Sequence, residues 1–238
     1  MKKAFVTANS DSFSAGVREK CASVWQGLHE HPFIQEVAKG TLPLAKFRFF
    51  LEQDLMYLPD YARCIAMGVV KSRSDTEMRY FAAELTATLE TEIPNNQNLL
   101  ARVVEMGAED RGGGRMMAPA NVAYTSYLTA LGLRGDTLEI TAALLPCAWS
   151  YMEIALALSD IRDQHPVYAD WIGFYASEDY VSLIEKMRRD FDDMVASEDP
   201  SQARLAGLRE IFGTSSRLER SFWSMSYSFE QWPDAGNR

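Results

Sequence analysis

PLAKFRFFLEQDLMYLPDYARCIAMGVVK, residues 43–71, decides the fold class. Phe50, Leu51, Tyr57, Leu58 and Tyr61 recur at helical spacing, with no alternation of the kind a half-buried strand shows. Pro43 opens the pattern where a first helical turn tolerates proline. Working outward, residues 14–29 carry Val17, Cys21, Val24, Trp25 and Leu28 at intervals of three and four, which predicts one amphipathic helix. Pro32 opens a short segment that Gly40 closes. Ser74 and Glu77 form a predicted capping box, followed by Met78, Phe81, Leu85 and Leu89 on one face. Pro94 is expected to interrupt that helix, and residues 99–106 to resume it up to Gly107. The Gly-rich stretch 107–118 is the one clear loop, and a helix is expected from Pro119 to about Leu133. Asp136 and Glu139 form a second capping box before an apolar pattern over 138–163, with Pro146 expected to kink it. His165-Pro166 starts a short helix to about Phe174. Further helices are expected over 178–196 and from an Asp199-Pro200 start towards Trp232. No Asn-Gly hairpin or alternating β-branched run stands out. The expectation is all-α: one domain over residues 1–238 of seven to nine helices, with 1–12 a local N-terminal extension.

Composition narrows the partners. The chain has 238 residues, 47% of them hydrophobic and 24% charged, so a sizeable core is available. Its net charge of −9 shows no basic footprint, which argues against nucleic acid. The longest uncharged stretch, between Arg115 and Arg134, is too polar to span a membrane, and the N-terminus has no apolar signal region. Cys21, Cys64 and Cys147 are odd in number and far apart, so a disulfide framework is not expected and a cytoplasmic location is.

Three polar groups interrupt apolar patterns. Cys147 follows Pro146, which cannot donate to the Ala142 carbonyl and so opens the helix beside the thiol; Tyr151 shares its face. It is either a nucleophile or a small buried thiol. Asp54 shares a face with Tyr57 and Tyr61, which makes it functional or paired to a base. Glu219 has Phe222 and Trp223 three and four residues on. It is either an acid/base group with a raised pKa or a surface residue paired with Arg217 or Arg220. Metal and nucleotide chemistry have little support. None of His29, His31 and His165 follows an acid by three residues, so the di-iron bundle motif is absent. His29 reads better as a helix-end residue than as a haem ligand. Gly112-Gly113-Gly114 lacks the Gly-Lys-Ser/Thr ending of a phosphate loop and reads as a flexible connector.

The stretches HPFIQEVAKGTLP, FLEQDLMYLPDYA, AYTSYL, ALLPCAWSYMEI, HPVYADWIGFY and LERSFWSMSY, in this order, resemble the TenA family of aminopyrimidine hydrolases, the thiaminase II type. The resemblance covers the chain from about residue 20 to 230. It implies a haem-oxygenase-like bundle without haem, usually a homotetramer, needing no metal or organic cofactor. It implies hydrolysis of aminomethyl pyrimidine or thiamine to hydroxymethyl pyrimidine in thiamine salvage. By the resemblance, Cys147 matches the nucleophile, Asp54 the carboxylate on the pyrimidine edge and Glu219 the second carboxyl. Tyr57, Tyr124, Tyr151 and Tyr175 match the pocket tyrosines, and Phe222 an aromatic packed on the ring. Two departures stand out. Leu55 and Met56 follow Asp54 where the family often has another aromatic, and LETEIPNNQNLL lacks the histidine that segment commonly carries. A non-enzymatic pyrimidine-binding or regulatory protein, and a cofactor-independent oxidase on the same fold, are the competing readings.

Overall fold

The computed structural model describes residues 12–161 and 165–233, so the expected extension over 1–12 lies almost wholly outside the described residues. Among these residues there are only helices: α1 (Phe13–Lys20), α2 (Ala22–His29), α3 (Pro32–Ala38), α4 (Leu44–Lys71), α5 (Asp75–Ala87), a π-helical turn (Thr88–Glu92), α6 (Ile93–Glu105), α7 (Pro119–Arg134), α8 (Thr137–Leu158), α9 (Pro166–Tyr175), α10 (Glu178–Glu198) and α11 (Gln202–Ser228).

α8 is the central element. Nearly every one of its side chains is buried, and it packs against α11 and α10 as well as α4, α7 and α9. By length and composition it could cross a membrane, but its apolar surface is taken up inside the bundle. Each large aliphatic side chain so buried contributes about 1.5–3 kcal/mol. α4, also almost wholly engaged, packs against α5, α6, α7 and α11, so α4 and α11 bring their polar interruptions to the side of α8 that carries Cys147.

Several local expectations need correction. The stretch 14–29 is two helices, because Cys21 leaves α-geometry and its N–H is shared between the Val17 and Arg18 carbonyls at 3.2 Å each. Pro94 does not interrupt the fifth helical pattern. The path runs on through the π turn, whose extra residue changes the carbonyl register just ahead of a proline that has no N–H to give. α8 continues unbroken through Pro146, as α4 does through Pro59, but it ends at Leu158 rather than near 163. Asp199 does not cap the last helix: it adopts a left-handed conformation (φ 45°) that ends α10, and Ser201 accepts from Arg204 N–H at 3.3 Å. That helix stops at Ser228, with Phe229 also left-handed.

The Gly-rich loop is pinned, not a flexible connector. Gln53 Nε2 donates to the carbonyls of Gly113 (2.6 Å) and Met116 (2.9 Å), and its Oε1 accepts from Ala118 N–H. Gly113 lies so close to α4 that a Cβ there would fall 2.6 Å from Glu52 Oε2 and 2.8 Å from the Phe49 ring. The Asp136 capping box forms in full. At Ser74 only half forms, since the Glu77 carboxylate reaches Arg73 N–H rather than Ser74.

Candidate active site

Cys147 sits mid-way along α8, one residue past Pro146, and side chains from neighbouring helices cap the α8 carbonyls around it. Ser215 Oγ donates to Ala143 O at 2.6 Å, Tyr61 to Leu144 O at 3.4 Å and Tyr180 to Ala148 O at 3.3 Å. These bonds fix the helix segment that presents the thiol. The Cys147 residue keeps partial exposure, yet its sulfur lies deep among protein atoms. Burial, then the charges of Glu219 and Glu92, push the thiol well above its usual range, while Tyr57 favours the thiolate.

Asp54, projecting inward from α4, is buried. Burial first, then Glu92, hold its carboxyl well above the usual carboxylate range, opposed by Asn96, whose Nδ2 donates to Asp54 Oδ2 at 2.7 Å. The same Nδ2 lies 3.4 Å from the Tyr175 hydroxyl, which donates to Glu92 Oε1 at 3.0 Å. A polar chain therefore joins Asp54 to Glu92 through Asn96 and Tyr175. Glu219, on α11, is 2% exposed, which excludes a surface pairing with Arg217 or Arg220. Burial pushes it up to about 7, against the favourable influence of Tyr124 and Cys147. Burial likewise raises Glu92 to about 7.

Aromatic side chains enclose these groups. Tyr57 packs on Tyr124 (ring centroids 5.0 Å) and edge-on against Phe222 (5.6 Å), and Tyr151 packs on Tyr175 (4.9 Å) and Trp223 (5.1 Å). Among the described residues no hydrogen bond of ordinary geometry reaches the buried Tyr57 hydroxyl, although the Cys147 thiol and the Tyr124 hydroxyl are its neighbours. Such an orphan is costly unless something else satisfies it. The structure thus brings Cys147, Asp54, Glu219, Tyr57, Tyr124, Tyr151 and Tyr175 into one cluster, with Phe222 behind Tyr57.

Sequence reasoning missed Glu92, Asn96, Tyr180 and Ser215, and it placed Tyr61 on the Asp54 face without giving it a part in the site. Glu92 and Asn96 come from the segment without a histidine, and their inward direction depends on the π turn, which has no sequence signal of its own. His29 lies elsewhere, at the end of α2, with Nε2 3.5 Å from Glu153. Among the described residues no group of three or more His, Cys, Asp or Glu side chains is placed to hold a metal ion. The arrangement offers a nucleophilic atom, carboxyls able to carry or release a proton near neutrality, and flat walls for a planar ring.

An all-helical bundle with a thiol enclosed by carboxyls and phenols defines a class of small-molecule site built between helices. The sequence pattern of the TENA/THI-4/PQQC family matches residues 18–228, and the chain belongs to that family. It is 37% identical over 225 residues to an aminopyrimidine aminohydrolase of Halalkalibacterium halodurans, spanning 93% of this chain and 98% of the relative. A TenA homologue from P. horikoshii OT3 superposes with a TM-score of 0.79 at 29% identity, covering 91% of this chain and 99% of that one. A Shewanella denitrificans domain with a heme oxygenase-like fold shares the architecture at 13% identity (TM-score 0.67; 90% and 91% covered).

Proposed function

We propose that this protein is an aminopyrimidine aminohydrolase of the thiaminase II type, releasing hydroxymethyl pyrimidine from aminomethyl pyrimidine or thiamine in thiamine salvage, with Cys147 as nucleophile. The observation that carries the reading is the Cys147 thiol enclosed by Glu219 and Asp54 beside the buried Tyr57 hydroxyl. The name borne by the Halalkalibacterium relative supports it.

In this reading the pyrimidine ring lies between the aromatic walls, its amino edge on Asp54. Glu219, near neutrality in its proton affinity, takes the proton from the Cys147 thiol as sulfur bonds to a ring carbon, and passes it to a ring nitrogen. The C–N bond to the leaving group then breaks, and the thiazolium nitrogen of thiamine, or the nitrogen of aminomethyl pyrimidine in its ammonium form, departs with the bonding pair. Water adds to the exposed methylene and releases a proton to solvent, the C–S bond breaks with its pair returning to sulfur, and the ring N–H proton goes back through Glu219 to the thiolate. One difficult displacement becomes two easier steps. Tyr57 donates to sulfur as negative charge develops there, which offsets the burial that disfavours a thiolate. No step calls for a metal or organic cofactor. The homotetramer and cytoplasmic location belong to the same proposal.

Incubating the purified, reduced protein with aminomethyl pyrimidine, and separately with thiamine, tests it. Hydroxymethyl pyrimidine is expected from at least one substrate; none from either would overturn the proposal.

A further inference from the structure

Beside the Cys147 cluster lies a cavity of about 420 Å³ that the chemistry above does not use; the exposed Asp179 and Thr91 lie at its edge, and Ala148, the residue after the thiol, forms part of its wall. Glu92 belongs to both: it accepts from Tyr175 on the Asp54 side and lines this cavity on the other. Glu84, on α5, lines it further from the thiol. Glu84 is only 6% exposed, and among the described residues it has no hydrogen bond or ion pair. The rest of the wall includes the rings of Tyr61, Phe174 and Tyr180 and no Lys, Arg or His. Lys186, whose charge acts on Glu84 from outside the wall, is paired with Asp190.

A buried carboxyl without a partner, Glu84, beside the half-buried Glu92 and with no cation in the wall, is an unsettled arrangement. Burial, reinforced by the charge of Glu92 and opposed by Lys186, pushes Glu84 up to about 8, so its carboxyl resists ionisation. A cationic guest would favour its charged form and find aromatic faces to lie against. Two carboxyls fall short of the six or more oxygens a calcium ion takes, whereas a flat organic cation needs only charge and walls.

We propose that this cavity is the leaving-group chamber of the site, and that Glu84 and Glu92 bind the positively charged nitrogen heterocycle at the far end of the substrate while the pyrimidine occupies the Cys147 cluster. The proposal rests on the hydrolase reading for which molecule spans the two spaces, and it deepens that reading by assigning a second subsite and the charge of the group it takes. Glu92, shared by both, links occupancy of the chamber to the hydrogen-bond chain that ends on Asp54.

The test needs no turnover. The full chain is titrated calorimetrically with hydroxyethyl-methylthiazole, which is neutral, and with its N-methylated, permanently cationic form. The cationic form is expected to bind at least about tenfold more tightly, and Glu84→Gln to remove most of that preference. Leu183→Trp, which fills the chamber without touching its charge, is expected to weaken both probes. Equal affinity for the two probes, or a preference unchanged in Glu84→Gln, would overturn the proposal. Turnover of aminomethyl pyrimidine by the unaltered protein, measured alongside, tests the hydrolase reading alone, so the two can fail separately.

Discussion

At the scale of single residues, the site sets a nucleophile among groups that disfavour its charged form. Cys147 is held as a neutral thiol, so its activation depends on a neighbour that takes the proton during attack. Cys147→Ala is expected to retain the fold, as judged by circular dichroism, and to reduce release of hydroxymethyl pyrimidine to background. Tyr57→Phe separates structure from function. Its hydroxyl is buried and makes no hydrogen bond of ordinary geometry among the described residues, so removing it should leave stability unchanged or raise it by up to about 1 kcal/mol. Turnover should nevertheless fall by about tenfold or more, because the donor to the developing thiolate is gone. Glu219, raised to about 7, must be deprotonated to accept the thiol proton. The rate is therefore expected to rise with pH through about 7, and the pH–rate profile of Glu219→Gln should lose that step.

At the scale of elements, what could be read in the sequence divides by its physical origin. Helical content, the Asp136 capping box and the inward face carrying Asp54, Tyr57 and Tyr61 follow from spacing and local chemistry, and spacing shows them. Asp54, Cys147 and Glu219 drew attention because a polar group breaks an apolar stripe, and the break remains visible without a structure. The π turn at Thr88–Glu92 is invisible in that sense, since nothing in TLETE distinguishes five π residues from an α-helix. Its effect is to aim Glu92 and Asn96 inward around a proline, which is why both were missed. Deleting the exposed Glu90 should convert the turn to α-geometry and turn Glu92 away. Helicity is expected to persist, with turnover down by at least about tenfold for loss of a group positioned within the site. The Gly112–Gly114 loop misled for another reason: glycine permits flexibility but also close approach, and only tertiary packing decides which. Gly113→Ala would force a Cβ against Glu52 and Phe49. It is expected to destabilise the fold by about 1–3 kcal/mol in urea unfolding, whereas an alanine in a free connector would have almost no effect.

At the scale of the whole molecule, the acidic balance is unevenly spent. Among the described residues the acids are mostly exposed or half-buried, but Asp54, Glu84 and Glu219 are buried and stand with the half-buried Glu92 around one region. Each binds its proton more tightly folded than unfolded. For Glu84 the folded chain holds an extra proton between 4.5 and about 8, and the stability this confers is lost as pH rises through that window. Glu92, Lys186 and Asp190 share its surroundings and modulate the effect. The melting temperature is expected to fall from pH 5 to pH 8, more shallowly in Glu84→Gln; a flat profile in the unaltered protein would contradict the assigned burial. The fold thus accepts a cost in stability at neutral pH to keep several proton-carrying groups beside one thiol.

The most direct test of that central claim is a crystal structure of Cys147→Ala soaked with aminomethyl pyrimidine. The account predicts the ring between Asp54 and Glu219, its amino edge on Asp54 and the Tyr57 hydroxyl at last in hydrogen-bond contact. A ring bound elsewhere, or a cluster left empty at saturating ligand, would contradict it.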